Sequence, residues 1–208
     1  MGTPERVALY FDGGNFHHLV LKKLGVVELQ FDFEAFVRFL ANGRPVANMG
    51  KRFYIGTVRE QEGDPKSKAA MALQTKLFTR LKSFRWEIKT SKLRMRTDKI
   101  IIDERVVGYQ AFLSKGITEI EFQRMREKGI DVKLAIDLMV GAIDDQYDTA
   151  LVVSSDADLV PAIDWVRHRG KKKIEYIGFS LASPGKESTK PLQTMIGHSD
   201  IQRILVAA

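Results

Sequence analysis

The sequence predicts an α/β protein: a three-layer sandwich whose mainly parallel central sheet carries helices on both faces, with a β-hairpin-like insertion. Three observations predict it. Apolar runs of strand length recur at 6–11, 52–58, 149–155 and 172–179. Helical apolar spacing fills the stretches beside them. The connecting helices are long enough to be crossovers, which demand parallel strands covered on both faces. At 208 residues and 44% hydrophobic composition, the chain suits one sizeable core and not two full domains. It is read as a single domain over 1–208, with a core of about 6–180, an insertion of about 85–115 and a C-terminal tail of about 180–208.

The elements follow in order. VALYF at 7–11 is a buried strand, and FDGGN ends it in what reads as a glycine turn. Phe16, Leu19, Val20 and Leu24 recur at helical spacing over 14–24, and a second helix fits Phe33 to Leu40, stopped by Asn42-Gly43. RFYIGTV (52–58) is a strand, and the turn Gly63-Asp64-Pro65 starts a long amphipathic helix reaching about Leu81. Residues 85–115 alternate like strands and carry many cations, which gives the hairpin-like arm. GIDVKLAIDLMVGAI is apolar on nearly all sides and is expected to be sandwiched in the core. TALVVSS is a buried strand, DADLVPAIDWVRHRG a helix stopped by Gly170, and KKIEYIGF the last strand. The tail holds a Ser/Gly/Pro/Lys-rich loop followed by what read as short helical pieces.

Composition narrows the chemistry. With no cysteine, disulfides, thiolate metal sites and cysteine nucleophiles are all excluded, so a metal would need oxygen or histidine ligands. A net charge of +7 favours a polyanionic partner if the cations share a face. No apolar run approaches the roughly 20 residues of a membrane span, and the first residues lack a secretory pattern; the expectation is a cytoplasmic protein without a membrane partner.

In an open parallel sheet, functional groups gather outside the carboxyl ends of the strands. Asp12 follows the first strand, and Asp156 and Asp158 follow the strand ending at Ser155. Asp131 opens the helix that feeds that same strand, so it lies at the same edge. Carboxylates so placed repel one another unless a cation neutralises them. All-oxygen ligation suits Mg²⁺ or Mn²⁺, which polarise phosphoryl oxygens and supply a nucleophilic water; that chemistry hydrolyses phosphodiesters. The glycines after Asp12 would let the backbone turn tightly and leave room for metal and phosphate.

Each residue also has a plainer reading. Asp12 could simply end a strand, Asp131 could cap its helix, and either Asp156 or Asp158 could cap the next one. Asp137 lies six positions after Asp131, about 240° around the helix, so the two do not share a face. Within an apolar helix it is either a supporting residue behind the metal ligands or a buried structural hydrogen bonder. Asn15 could orient a water or the Asp12 carboxylate, while Ser154 and Ser155 suit turn and capping roles beside the acids. Lys128 falls at the acidic edge, where it could meet phosphate or simply be a solvated lysine. Lys89, Lys92, Arg94, Arg96 and Lys99, interleaved with apolar groups near Trp86, resemble a nucleic-acid-binding arm or a solvated charged hairpin.

At FDGGN (11–15), KGIDVKLAIDL (128–138), YDTALVVSSDADLVPAI (147–163) and the following GKKKIEYIGF, the sequence resembles the NYN family, LabA- and DUF88-like members of the PIN-like nuclease superfamily. The resemblance implies a PIN-like sheet, Mg²⁺ or Mn²⁺ dependence and RNA, single-stranded or structured, as substrate. It further implies a metal-dependent ribonuclease, read as an endonuclease, with a homodimer one expected assembly. Asp12, Asn15, Asp131, Asp137, Asp156 and Asp158 match the family's polar positions. Two features depart from the pattern. Gly14 stands where the family commonly has Ser or Thr, and the extra acid that related enzymes offer from mid-domain has only Glu60 and Asp64 as candidates. The alternative is a non-catalytic RNA-binding or regulatory adaptor that keeps the fold. A Toprim-type DNA site would need an upstream strand-ending glutamate, and a dehalogenase-type phosphatase a second acid at Gly14; neither is present.

Overall fold

Among the described residues, six parallel strands form the central sheet, in the order β3-β2-β1-β6-β7-β8. The computed structural model describes residues 3–60, 63–92, 94–126, 129–181 and 199–207. The two inner strands, β1 (Val7–Asp12) and β6 (Thr149–Val153), are buried along their whole length, as continuous apolar runs must be when both faces are covered. Outward from β1 lie β2 (Val46–Thr57) and β3 (Glu87–Lys92); outward from β6 lie β7 (Lys173–Leu181) and β8 (Ile201–Ala207). Strand order therefore reverses between β1 and β6, and a crevice opens at the carboxyl ends of these two strands.

Alternation along β1 divides the core in two. Val7, Leu9 and Phe11 face α1 (Gly13–Phe16), the π-helical turn His17–Leu21, α3 (Phe33–Ala41) and α4 (Pro65–Ser83). Here Phe11 packs against Phe16, Phe33 and Phe53, with ring centroids 4.8, 5.6 and 5.3 Å apart. The π-turn runs on into α2 (Lys22–Leu24), which ends at Gly25 in the left-handed conformation. Ala8 and Tyr10 face the other way, toward the helices that follow the insertion. Two of those helices are α6 (Ile130–Ile143) and α7 (Val160–His168). A β-carbon on Gly141 would stand 2.6 Å from the Tyr10 hydroxyl, so glycine is what lets α6 lie this close to the sheet.

Four features differ from the sequence reading. Residues 87–92 belong to the central sheet as edge strand β3, and the projecting ribbon is β4 (Arg94–Ile101) paired antiparallel with β5 (Glu119–Arg126), with α5 (Tyr109–Leu113) between them. An edge strand and an exposed ribbon both alternate apolar with charged residues, so the pattern does not separate them. The α6 helix is not sandwiched: Ile130, Leu134, Leu138 and Ala142 are buried, while Val132, Ile136, Val140 and Ile143 form an exposed apolar stripe. Residues 201–207 are a strand and not helical pieces, because the open edge of β7 accepts a parallel partner. Finally, Gly13-Gly14 is not a tight turn but the first turn of α1. The tail loop at 182–198 lies outside the described residues. Among the described residues no helix is long and apolar enough to cross a membrane.

Candidate active site

The site grows from the end of β1. Asp12 continues the Ala8-Tyr10 alternation and so points to the α6/α7 side, where it is 6% exposed. It is also the N-cap of α1: its Oδ1 accepts from the Asn15 amide at 2.9 Å. Gly13 is required here for packing, since a β-carbon on it would stand 2.4 Å from the Phe53 ring. Across the switch point, Ser154 at the end of β6 is buried and its hydroxyl donates to Asp12 Oδ2 at 2.8 Å. Asn15 closes the crevice from the other side, its Oδ1 accepting from both the amide and the hydroxyl of Ser155 at 3.1 Å. Register thus ties the loop after β1 to the loop after β6 through side chains, and both carboxylate oxygens of Asp12 are fixed in place.

Asp156 follows immediately. Its amide donates to the Ser154 hydroxyl at 3.2 Å, and its own Oδ1 caps the 3-10 turn Ala157–Leu159 by accepting from the Asp158 amide at 2.9 Å. Of the two acids, Asp156 is therefore the cap, while Asp158 sits exposed in the first turn. Asp131 is not a cap: Gly129 holds that position, with φ of +82°, and Asp131 lies in the first turn of α6. Burial pushes its carboxyl above the usual carboxylate range, and the negative charges of Asp156 and Asp158 push it further in the same direction. Asp131, Asp156 and Asp158 form no ion pair among the described residues. Three acids held in one another's field without a cation form a cation-attracting centre.

The donor set fits the divalent ion that the sequence implies. It is all oxygen, and the mutual repulsion registered at Asp131 is relieved by positive charge. Among the described residues no three acidic or histidine side chains stand close enough to share an ion directly. Mg²⁺ keeps several waters and takes one or two carboxylates, so such a site suits it without a closed cage.

The other candidates are placed elsewhere. Asp137 accepts from the Tyr54 hydroxyl at 2.9 Å and lies 3.5 Å from the Lys89 ammonium, about one and two-thirds turns along α6 from Asp131. The Lys89 ammonium is also 2.6 Å from Glu87 and sits on β3 of the central sheet. Lys92 ends the same strand, opposite Thr57. Arg94, Arg96 and Lys99 lie on β4, where the register sets Arg94 opposite Arg126 and Arg96 opposite Arg124. Arg96 is exposed, and Lys99 pairs with Glu119 at 2.5 Å. Lys128 lies outside the described residues. Glu60 lies 3.9 Å from Lys68 at the surface, and Asp64 caps α4 through the Lys66 and Ser67 amides. Two residues near the acids escaped the sequence reading. Tyr54 stands opposite Asp12 in register and anchors Asp137, and Lys133 reaches the Thr90 carbonyl from the first turn of α6. Only strand pairing reveals the former; the latter's position just after Asp131 was a signal that could have been used.

A doubly wound parallel sheet with carboxylates at its switch point is the arrangement of PIN-like proteins, and this chain is one of that class. Within the class it belongs to the NYN family: the NYN domain matches residues 6–194. NYN domains are PIN-like, a nuclease class associated with RNA and with divalent metals. Among solved structures, a protein of unknown function from Vibrio parahaemolyticus is similar in fold, with a TM-score of 0.57 and 18% identity over 99% of this chain and 96% of that one. No curated protein matches the chain.

Proposed function

We propose that this protein is a divalent-metal-dependent ribonuclease that hydrolyses internal phosphodiester bonds of RNA. The observation that carries the reading is the switch-point cluster, in which Asp131, Asp156 and Asp158 share one field without a cationic partner among the described residues. Asp12, Asp131, Asp156 and Asp158 would hold Mg²⁺ or Mn²⁺, one or two of them directly and the others through the ion's waters. A bound ion supplies charge there, neutralising the acids and polarising a phosphoryl oxygen. The chain's own residues do the positioning. Ser154 and the Asn15 amide fix the Asp12 carboxylate, Asn15 pins the Ser155 loop, and the Asp156 cap sets where Asp158 stands. Exposed cations on the β4–β5 ribbon, Arg96 among them, supply a backbone-directed grip on RNA that weakens with salt.

The test is cleavage of labelled single-stranded and structured RNA with Mn²⁺ or with chelator. Cleavage that needs metal and is lost in Asp12→Asn and Asp156→Asn supports the reading. RNA binding without cleavage by the unaltered protein overturns it. That outcome is the second reading, an RNA-binding adaptor, which one observation favours: no three metal-binding side chains converge among the described residues.

A further inference from the structure

At the same edge of the sheet, on the face opposite to Asp12, lies a cavity of about 600 Å³. Its walls are mostly aliphatic, among them Val26, Leu29, Ile55 and Leu77, and its size falls within the range of small-molecule sites. His17, His18, Lys22, Glu28 and Gln74 interrupt that lining, and two of their atoms stand apart from the rest. Among the described residues, His17 Nδ1 and Glu28 Oε1 are both buried without a hydrogen-bond partner, and His17 Nδ1 stands 3.8 Å from the other Glu28 oxygen, too far for a hydrogen bond. Buried polar groups are almost always satisfied, so two orphans in one cavity wall point to a partner that arrives from outside. His17 opens the π-helical turn, and such turns are rare and concentrate at functional sites.

We infer that this cavity is a base-binding subsite for guanine, placed to hold a nucleotide of an RNA strand whose phosphate lies at the acidic edge. The inference rests on the reading of that edge as an RNA site. A carboxylate only accepts hydrogen bonds, and its two oxygens match two adjacent donors. Guanine alone among the four RNA bases offers adjacent donors, N1–H and the 2-amino group, on its Watson–Crick edge; protein recognition of RNA commonly reads this edge on splayed bases. The Glu28 oxygens would accept both, His17 would donate from Nδ1 to O6, and the aliphatic walls would cover the ring faces. Burial holds the Glu28 carboxyl up to about 7, so near neutrality the proton leaves readily when donors approach. Gly14 lines the cavity and follows Asp12 by two residues, a Cα separation of at most about 7.6 Å. With no side chain at Gly14, nothing from that position stands between cavity and acids.

The test is calorimetric titration of the full chain in chelator with GMP, IMP, AMP, CMP and UMP, followed by two RNA hexamers, all-uridine and the same with one guanosine. Without metal, cleavage does not enter. The expected order is GMP above IMP above AMP. Glu28→Gln should weaken GMP by about tenfold or more, the scale of one good bidentate contact, and leave AMP unchanged. Leu73→Trp, at an exposed lining position on α4 where folding is not at stake, should weaken GMP as well. The single-guanosine hexamer should outbind the all-uridine one and be displaced by GMP. Equal binding of GMP and AMP, or an unaltered Glu28→Gln, overturns the subsite. GMP preference without a matching preference between the hexamers overturns its assignment to RNA. Absence of RNA cleavage with the guanine preference intact overturns the nuclease reading alone.

Discussion

The two edges of the central sheet treat acidic residues in opposite ways. At the amino edge the acids just before β1, β6 and β8 pair with cations. Arg6, just before β1, is 2.9 Å from Asp148, just before β6, and 3.1 Å from Asp145; Lys172, just before β7, pairs with Asp145 too. The Arg6 guanidinium pulls the Asp148 carboxyl down to about 2. On β7 the buried Glu175 is held by Arg44 at 3.0 Å and faces Arg203 at 3.6 Å. At the carboxyl edge the acids are instead held by hydroxyls and backbone amides, and burial with like charge raises Asp131. Closed ion pairs stabilise the chain by itself. The open cluster leaves its charge available to something else.

The sharpest way to break the contrast is at Glu175. Glu175→Ala should cost about 3–5 kcal/mol in urea unfolding, because it strands Arg44 beside a buried site. A loss below about 1 kcal/mol would mean that the amino edge is not held by its ion pairs. Next comes pH. Glu28, near the carboxyl edge, has its proton held to about 7 against an ordinary 4.5. Its contribution to stability is therefore full below about 4.5, falls as pH rises to about 7 and is gone above that, on the order of 3 kcal/mol in all. Thermal unfolding between pH 4 and 8 should show this slope, and Glu28→Gln should flatten it. Asp148 slopes the other way, since a lowered carboxyl stabilises above its ordinary value and loses that as pH falls toward about 2.

Ser154→Ala removes one donor from the buried Asp12 carboxylate and should cost about 1.5–3 kcal/mol. If the site takes a divalent ion, Mg²⁺ should recover part of that loss in a thermal melt. The smallest effect is the most diagnostic. Asp131→Asn removes a repelled charge, so in chelator it should raise the melting temperature by about 2 °C, the response to less than 1 kcal/mol, while shrinking the upward shift that Mg²⁺ gives the unaltered chain. A destabilised Asp131→Asn would show that the acids at this edge are compensated after all.

Much of this was legible beforehand. The strands at 7–12 and 149–153 announced themselves as apolar runs, and the acids that follow them were readable as a cluster because strand ends and the start of a crossover helix must share an edge. Other features were not legible. The apolar sequence of α6 suggested burial on all sides, yet only its contacts show that Val132, Ile136, Val140 and Ile143 face outward. Asp137 shared a helix with Asp131, but Tyr54 and Lys89 draw it into a different network. The pair His17 and Glu28 carried no motif at all.

What the sequence determined by itself was local and periodic: strand and helix identities, chain order, and acids at strand ends, because hydrophobic period and turn chemistry act over a few residues. Tertiary structure alone decided which polar groups meet. Ser154 reaches Asp12 across 142 positions and Asn15 reaches the Ser155 amide across 140, and these distances close only because β1 and β6 lie side by side in a fixed register. A cavity between helices and sheet leaves no trace in any one segment, since the residues that line it are set by packing and not by period.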